Sequence, residues 1–210
     1  MSDELPVQRA SAGLVDRAKN ILMTPQSEWA AVASETKSPT EVLMQYALPL
    51  MAIGPICTIL GSFLITNGLG LTYYVVTAVV SFVLGICSLY ALSFIANFLS
   101  PKFGGKDDFA AAFRLVAYSQ TPGWVLGVLG LLTGVAPAIG FLGILALYGL
   151  YLFYLGATPV MSVPQDKSVG YTVVTIVGAI VLYIIVGAIT AAILATMVVS
   201  AMQPALVVYQ

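Results

Sequence analysis

The chain has 210 residues, of which 60% are hydrophobic and only 8% charged, and its mean hydropathy is +0.99. Soluble domains run near roughly 45–50% apolar and about 25% charged, so this composition excludes a water-soluble fold and makes lipid the solvent. A formal charge of -1 argues against a nucleic-acid partner, which needs clustered Lys and Arg, and the lack of any histidine removes the commonest zinc ligand, proton shuttle and pH switch.

Residues 1 to 10 are polar, and the first apolar run begins only after a long charged segment, unlike a cleavable leader. Between Ala12 and Met23, Leu14, Ala18, Ile21 and Leu22 recur at helical spacing. Asp16, Arg17, Lys19 and Asn20 take the other positions, which predicts an amphipathic helix lying on the membrane surface or packed on the protein itself. Thr24-Pro25 reads as an N-cap and first helical residue, opening a short helix that carries Trp29 to the headgroup level. Ser38-Pro39-Thr40-Glu41 is a capping box that starts a helix leading into the membrane.

Five spans follow, judged against a requirement of about 20 apolar residues each. They are expected at residues 45–66, with a bend at Pro49 and Pro55, at 71–99, across the region 113–134, at 138–157 and at 169–202. The third is unusual. After Pro122 about a dozen apolar residues precede Gly134-Val135-Ala136-Pro137, too few to cross alone. Either much of 113–121 enters the membrane or a surface helix bends into a half-span at Pro122. The fold class is therefore all-α, a polytopic bundle of five transmembrane helices. It divides into an N-terminal cytosolic segment (1–44) with amphipathic interfacial helices, a membrane domain (45–202) and a short external tail (203–210).

Arg9, Arg17, Lys19 and Lys37 precede the first span. Lys102, Lys106 and Arg114 lie between the second and third, and Lys167 between the fourth and fifth. Every base thus falls in alternate connections, which by the positive-inside rule puts the N-terminus in the cytoplasm and the C-terminus outside. Arg114 is expected to snorkel towards the cytosolic headgroups. Gly123, Gly127, Gly130 and Gly134 recur as one helical face in the third span, and Ala188, Ala191, Ala192 and Ala195 as another in the fifth. Such faces pack helices of the same chain or of another copy. Cys57 and Cys87 sit in apolar runs and behave as small hydrophobes.

No nucleophile–base set, phosphate loop or metal-spaced Cys/His group exists, so neither catalysis nor a cofactor is expected. The polar run that ends in Pro122 is the one place where a membrane helix carries ligand-type chemistry. Tyr118, Ser119, Gln120 and Thr121, with Asp107, Asp108 and Asp166, form the candidate ligand or ion site. Asp107 and Asp108 are weak candidates for a cation, since two acids at a helix start more often cap it.

The segments from Arg17 to Leu22 with Pro25 and Trp29, from Phe103 to Phe109, and from Val163 to Tyr171 resemble the bacterial branch of the Yip1 family. Ala117-Tyr118-Ser119-Gln120-Thr121-Pro122 looks like that family's Gly-Tyr region with alanine for glycine. The resemblance implies a five-span inner-membrane protein with a cytoplasmic N-terminus and a periplasmic C-terminus. Eukaryotic members engage small GTPases in vesicle traffic, a role that a bacterial cell does not call for. Two functions are carried forward. One is a non-enzymatic membrane protein acting through helix–helix contact, as a homo-oligomer or with a membrane partner. The alternative is a small ion or lipid transporter or channel using the broken third span.

Overall fold

A computed structural model describes residues 13–63, 71–132 and 138–207, and every regular element among them is helical. Helices α1 (Leu14–Met23) and α2 (Pro25–Ala33) form an N-terminal pair. They are followed by α3 (Pro39–Ser62), α4 (Leu71–Leu99), α5 (Phe109–Ser119) and α6 (Thr121–Val125). A 3₁₀ segment (Leu126–Leu132) leads towards α7 (Ala138–Met161) and α8 (Gln165–Val207).

Local chemistry accounts for most of these boundaries. Ser38 and Glu41 close the expected capping box: the Ser38 amide donates to Glu41 Oε2 at 2.7 Å and the Glu41 amide to Ser38 Oγ at 3.3 Å. Pro25 opens α2, but Thr24 does not cap it, because its hydroxyl turns back to the Asn20 carbonyl of α1 at 3.2 Å. In α3 the ring of Pro49 removes one amide from the helical ladder. The helix absorbs the loss as a π-turn over Leu43–Ala47 and turns again at Ala52, three residues before Pro55.

Among the described residues, three helical stretches are long and apolar enough to cross a membrane: Pro39–Ser62, Leu71–Phe103 and Gln165–Thr196. The apolar stretch Phe109–Ser119 is shorter than a span, and Leu147–Met161 is the later part of the 24-residue helix α7. Exposed side chains on α4 (Val75, Val79, Val83, Phe94, Phe98) and α8 (Val173, Val177, Ile180, Ile184) make continuous apolar outer faces. A soluble protein could not carry such faces in water, so the bundle is embedded in a membrane. The basic connections gather at one end: the Lys106 amide donates to the Met161 carbonyl at 2.9 Å, and Arg114 Nη1 donates to the Lys37 carbonyl at 2.8 Å.

Three expectations need correction. Arg17 is not on a surface-facing stripe of α1; it is buried with Ala18 and Ile21. Trp29 does not face outward to headgroups, being 1% exposed and laid over α7 where Gly156 has no side chain to block its ring. Arg114 does not snorkel, because α5 is buried from Ala111 to Ser119 and its guanidinium reaches only the Lys37 backbone.

The glycine stripe is also rearranged, since the chain from Leu126 is 3₁₀ and its residues do not repeat on one α-helical face. Gly127 lies against Gly54 of α3; a methyl at Gly127 would sit 2.7 Å from the Gly54 amide nitrogen, whereas one at Gly54 would keep an ordinary 3.6 Å from Gly127. Gly123 has open space around it, Gly130 belongs to the 3₁₀ segment, and Gly134 lies outside the described residues. The asymmetry predicts that Gly127→Ala destabilises the detergent-solubilised protein by about 1–3 kcal/mol. Gly54→Ala should be neutral or stabilise it by about 0.4–1 kcal/mol. Thermal unfolding of the two variants side by side checks both.

Candidate functional site

The site is built around the break between α5 and α6. Pro122 has no amide to give the Tyr118 carbonyl four residues earlier, and a buried carbonyl without a partner is costly. Thr121 repairs the loss: its hydroxyl donates to the Tyr118 carbonyl at 2.6 Å and also meets the Tyr46 hydroxyl at 2.7 Å. The break is thus held by side chains on one side of the helix only. Residues 118 and 121 share a face by helical spacing, which leaves 119 and 120 turned another way.

On the Tyr118 side, α1 and α2 clamp the break through charge. Arg17 bonds to both Glu28 and Glu35, all three being buried, and its guanidinium lies 5.4 Å from the centre of the Tyr118 ring. The Tyr118 hydroxyl donates to Glu35 Oε2 at 3.2 Å, and the Tyr118 ring meets Tyr46 and Trp29 edge-on. Burial pushes the Glu35 carboxyl above its ordinary range, outweighing the opposing pull of Arg17, Lys37, Tyr118 and Arg114. Farther along, the Tyr148 hydroxyl of α7 donates to the Leu22 carbonyl at 2.6 Å, closing α1 onto the bundle.

On the opposite side lies a cavity of about 300 Å³ bounded by α4, α5, α6, α7 and α8. Leu92, Val116, Trp124, Leu150, Phe153 and Ile176 give it apolar walls, and Ser119 and Gln120 face into it from the break. Ser119 Oγ and Gln120 Nε2 are buried without a hydrogen-bond partner among the described residues. The Gln120 Oε1 accepts from the Tyr183 hydroxyl of α8 at 3.1 Å. Gly123 and Tyr183, both exposed, mark its mouth.

The residues expected to form one site are therefore divided. Ser119 and Gln120 line the cavity, whereas Tyr118 and Thr121 are consumed by the clamp and the helix repair. Asp107 and Asp108 lie at the basic end of the bundle. Asp107 accepts from Asn97 Nδ2 at 2.7 Å; Asp108 caps α5 through the Ala111 amide at 2.9 Å and pairs with Lys106 at 3.0 Å. Burial raises the Asp108 carboxyl, but those two donors more than offset it and leave it below its ordinary range. Asp166 is exposed in the first turn of α8. No group of three acids, cysteines or histidines stands together among the described residues.

Tyr183, Trp124 and the glutamates of the clamp belong to the site and are missed by sequence reasoning. The two acids near an amphipathic helix gave the available signal, since Glu28 and Glu35 are seven residues apart and share a side with Arg17 only if α1 and α2 fold back on each other.

Residues 19–189, most of the chain, match the Yip1 domain. The chain belongs to the Yip1 family. No curated protein and no solved structure matches it. The matched region runs from within α1 into α8, so it takes in α2 and the broken helix and begins just after Arg17.

Removing Arg17 would strand two buried carboxylates in this Yip1 domain, so Arg17→Met should cost about 3–5 kcal/mol. Glu35→Gln should be tolerated, because the amide keeps a contact for Tyr118 and Glu28 still pairs with Arg17. A raised carboxylate binds its proton more tightly in the folded state. Its contribution to stability is full below the ordinary carboxylate range and is lost as pH rises through the elevated value. Melting temperature measured from mildly acidic to alkaline pH should fall across that window in the wild type and lose that component in Glu35→Gln.

Proposed function

We propose that this Yip1-family chain is a non-enzymatic protein of a bacterial inner membrane that takes the apolar chain of a lipid-like amphiphile into the cavity at its broken third span. The supporting observation is the cavity itself: apolar walls, about 300 Å³, and two buried polar groups without partners where α5 ends. Small-molecule sites are typically about 300–1,000 Å³, largely apolar, with a few polar groups that fix orientation. Among the described residues no charged side chain lines the cavity, which favours a lipid over an ion as the transported or bound species.

In this reading the domain from 45 to 202 crosses the bilayer five times, its third span made of α5 together with the segment beyond the clamped break. Residues 1–44 lie on the cytoplasmic side with α1 and α2 at the interface, and 203–210 form the periplasmic tail. The gathering of basic connections at one end of the bundle supports that orientation. A second reading, partnership with another copy or another membrane helix, draws on Ala188, Ala191, Ala192 and Ala195, which are exposed along α8.

Trp124 in the cavity wall reports occupancy directly. Dibrominated monoolein titrated into the protein in maltoside micelles should quench tryptophan fluorescence saturably, near one equivalent. Gly123→Leu, which adds a side chain in open space at the cavity, should abolish the saturable phase. Quenching that rises without saturation and is indifferent to Gly123→Leu would contradict the reading.

A further inference from the structure

The polar end of the cavity has a definite chemistry. Ser119 Oγ can donate and accept, and one end of the Gln120 amide is unpartnered among the described residues. That second point does not depend on how the amide is turned. The Tyr183 hydroxyl can donate to the oxygen or accept from the nitrogen, and either way it occupies one end and leaves the other. The site therefore presents a donor and an acceptor side by side, 119 next to 120, with no charge among its lining residues.

Nearby charge is committed elsewhere. Arg17 is paired with Glu28 and Glu35 behind Tyr118, and Arg114 is bonded to the Lys37 carbonyl. The mouth is apolar as well: Tyr183 stands among exposed Ile180, Val181, Ile184 and Ile185, and no charged residue follows Lys167 in the chain. Sixteen residues of helix separate Lys167 from Tyr183, about 24 Å at 1.5 Å per residue. That distance is most of a hydrocarbon core of about 30 Å.

Resting on the reading of the cavity as an amphiphile site, we infer that it selects a single-chain amphiphile with an uncharged, hydrogen-bonding head of the hydroxyl or amide class and rejects carboxylate and phosphate heads. A hydroxyl or amide both donates and accepts, so it satisfies Ser119 and Gln120 together. A carboxylate or phosphate would bring an unpaired charge into a cavity with no cation to meet it, a cost that neutral heads escape. The volume sits at the bottom of the usual range for ligand sites, which suits one chain and a small head better than a two-chain phospholipid.

The test is competition against dibrominated monoolein quenching of Trp124, at equal mole fraction in maltoside micelles and at alkaline pH, where oleate is ionised. Monoolein and oleamide should displace the probe at least about ten-fold better than oleate or oleoyl lysophosphatidate. Gln120→Leu should weaken monoolein about ten-fold, one buried hydrogen bond's worth, while leaving oleate unchanged; Ser119→Ala should give a smaller loss of the same kind. If oleate or the lysophosphatidate competes as well as monoolein, the head-group inference is overturned while saturable quenching keeps the cavity reading intact. If no probe quenches saturably, or all quench alike as an adventitious additive only, both fall. The ranking on the wild-type protein decides the matter even if a variant fails to fold.

Discussion

A guanidinium inside an apolar bundle is the constraint on which the rest of this structure depends. Taking Arg17 out of water costs several kcal/mol, and Glu28 and Glu35 reach it together to offset that cost. That requirement fixes how α1, α2 and the start of α3 fold back on one another, since the three charges come from three separate places in the chain. It also fixes where the assembly sits. Glu35 has an oxygen left for the Tyr118 hydroxyl, and Arg17 lies over the Tyr118 ring, so the N-terminal helices find one position along α5. Direct ion pairing thus acts here less as a source of stability than as a device for register.

Register matters because α5 ends in a defect. Proline at 122 frees a carbonyl, and a helix with a freed carbonyl in an apolar setting kinks unless something answers it. Thr121 answers from the clamped side, in concert with Tyr46, which the π-turn of α3 brings into reach. With that face saturated, Ser119 Oγ and Gln120 Nε2 on the other face are left without a partner among the described residues. The Ser119 hydroxyl and one end of the Gln120 amide are left over for the same reason that Tyr118 and Thr121 are paired. The proposed amphiphile would complete the hydrogen bonding of the break, which is how the fold and the proposed ligand are linked.

Much of this was legible in the residues. Hydropathy placed the chain in a membrane, Ser38–Glu41 announced a helix start that the structure reproduces atom for atom, and the span expected at 71–99 coincides with α4. The polar run before Pro122 falls at the break between α5 and α6, beside the cavity. What could not be read was the direction of each side chain there, although helical spacing already separates 118 and 121 from 119 and 120. Arg17 was misjudged for a different reason: helical periodicity treats a charged residue as outward-facing, and only tertiary pairing with acids 11 and 18 positions away reverses that. Trp29 failed likewise, because its slot over Gly156 is a long-range contact. Tyr183, in an otherwise aliphatic stretch, carried no signal until α8 was laid beside the break.

The central claim is that a chain enters between the helices at the break and does not merely coat the outer wall, and photocrosslinking separates the two. A fatty-chain glycerol ester carrying a diazirine, illuminated with the protein in nanodiscs and mapped by peptide mass spectrometry, should label cavity-lining residues such as Leu92, Leu150 and Ile176. Adducts spread over the exposed outer faces, at Val79, Val173 and Val177, with none in the cavity, would contradict the account.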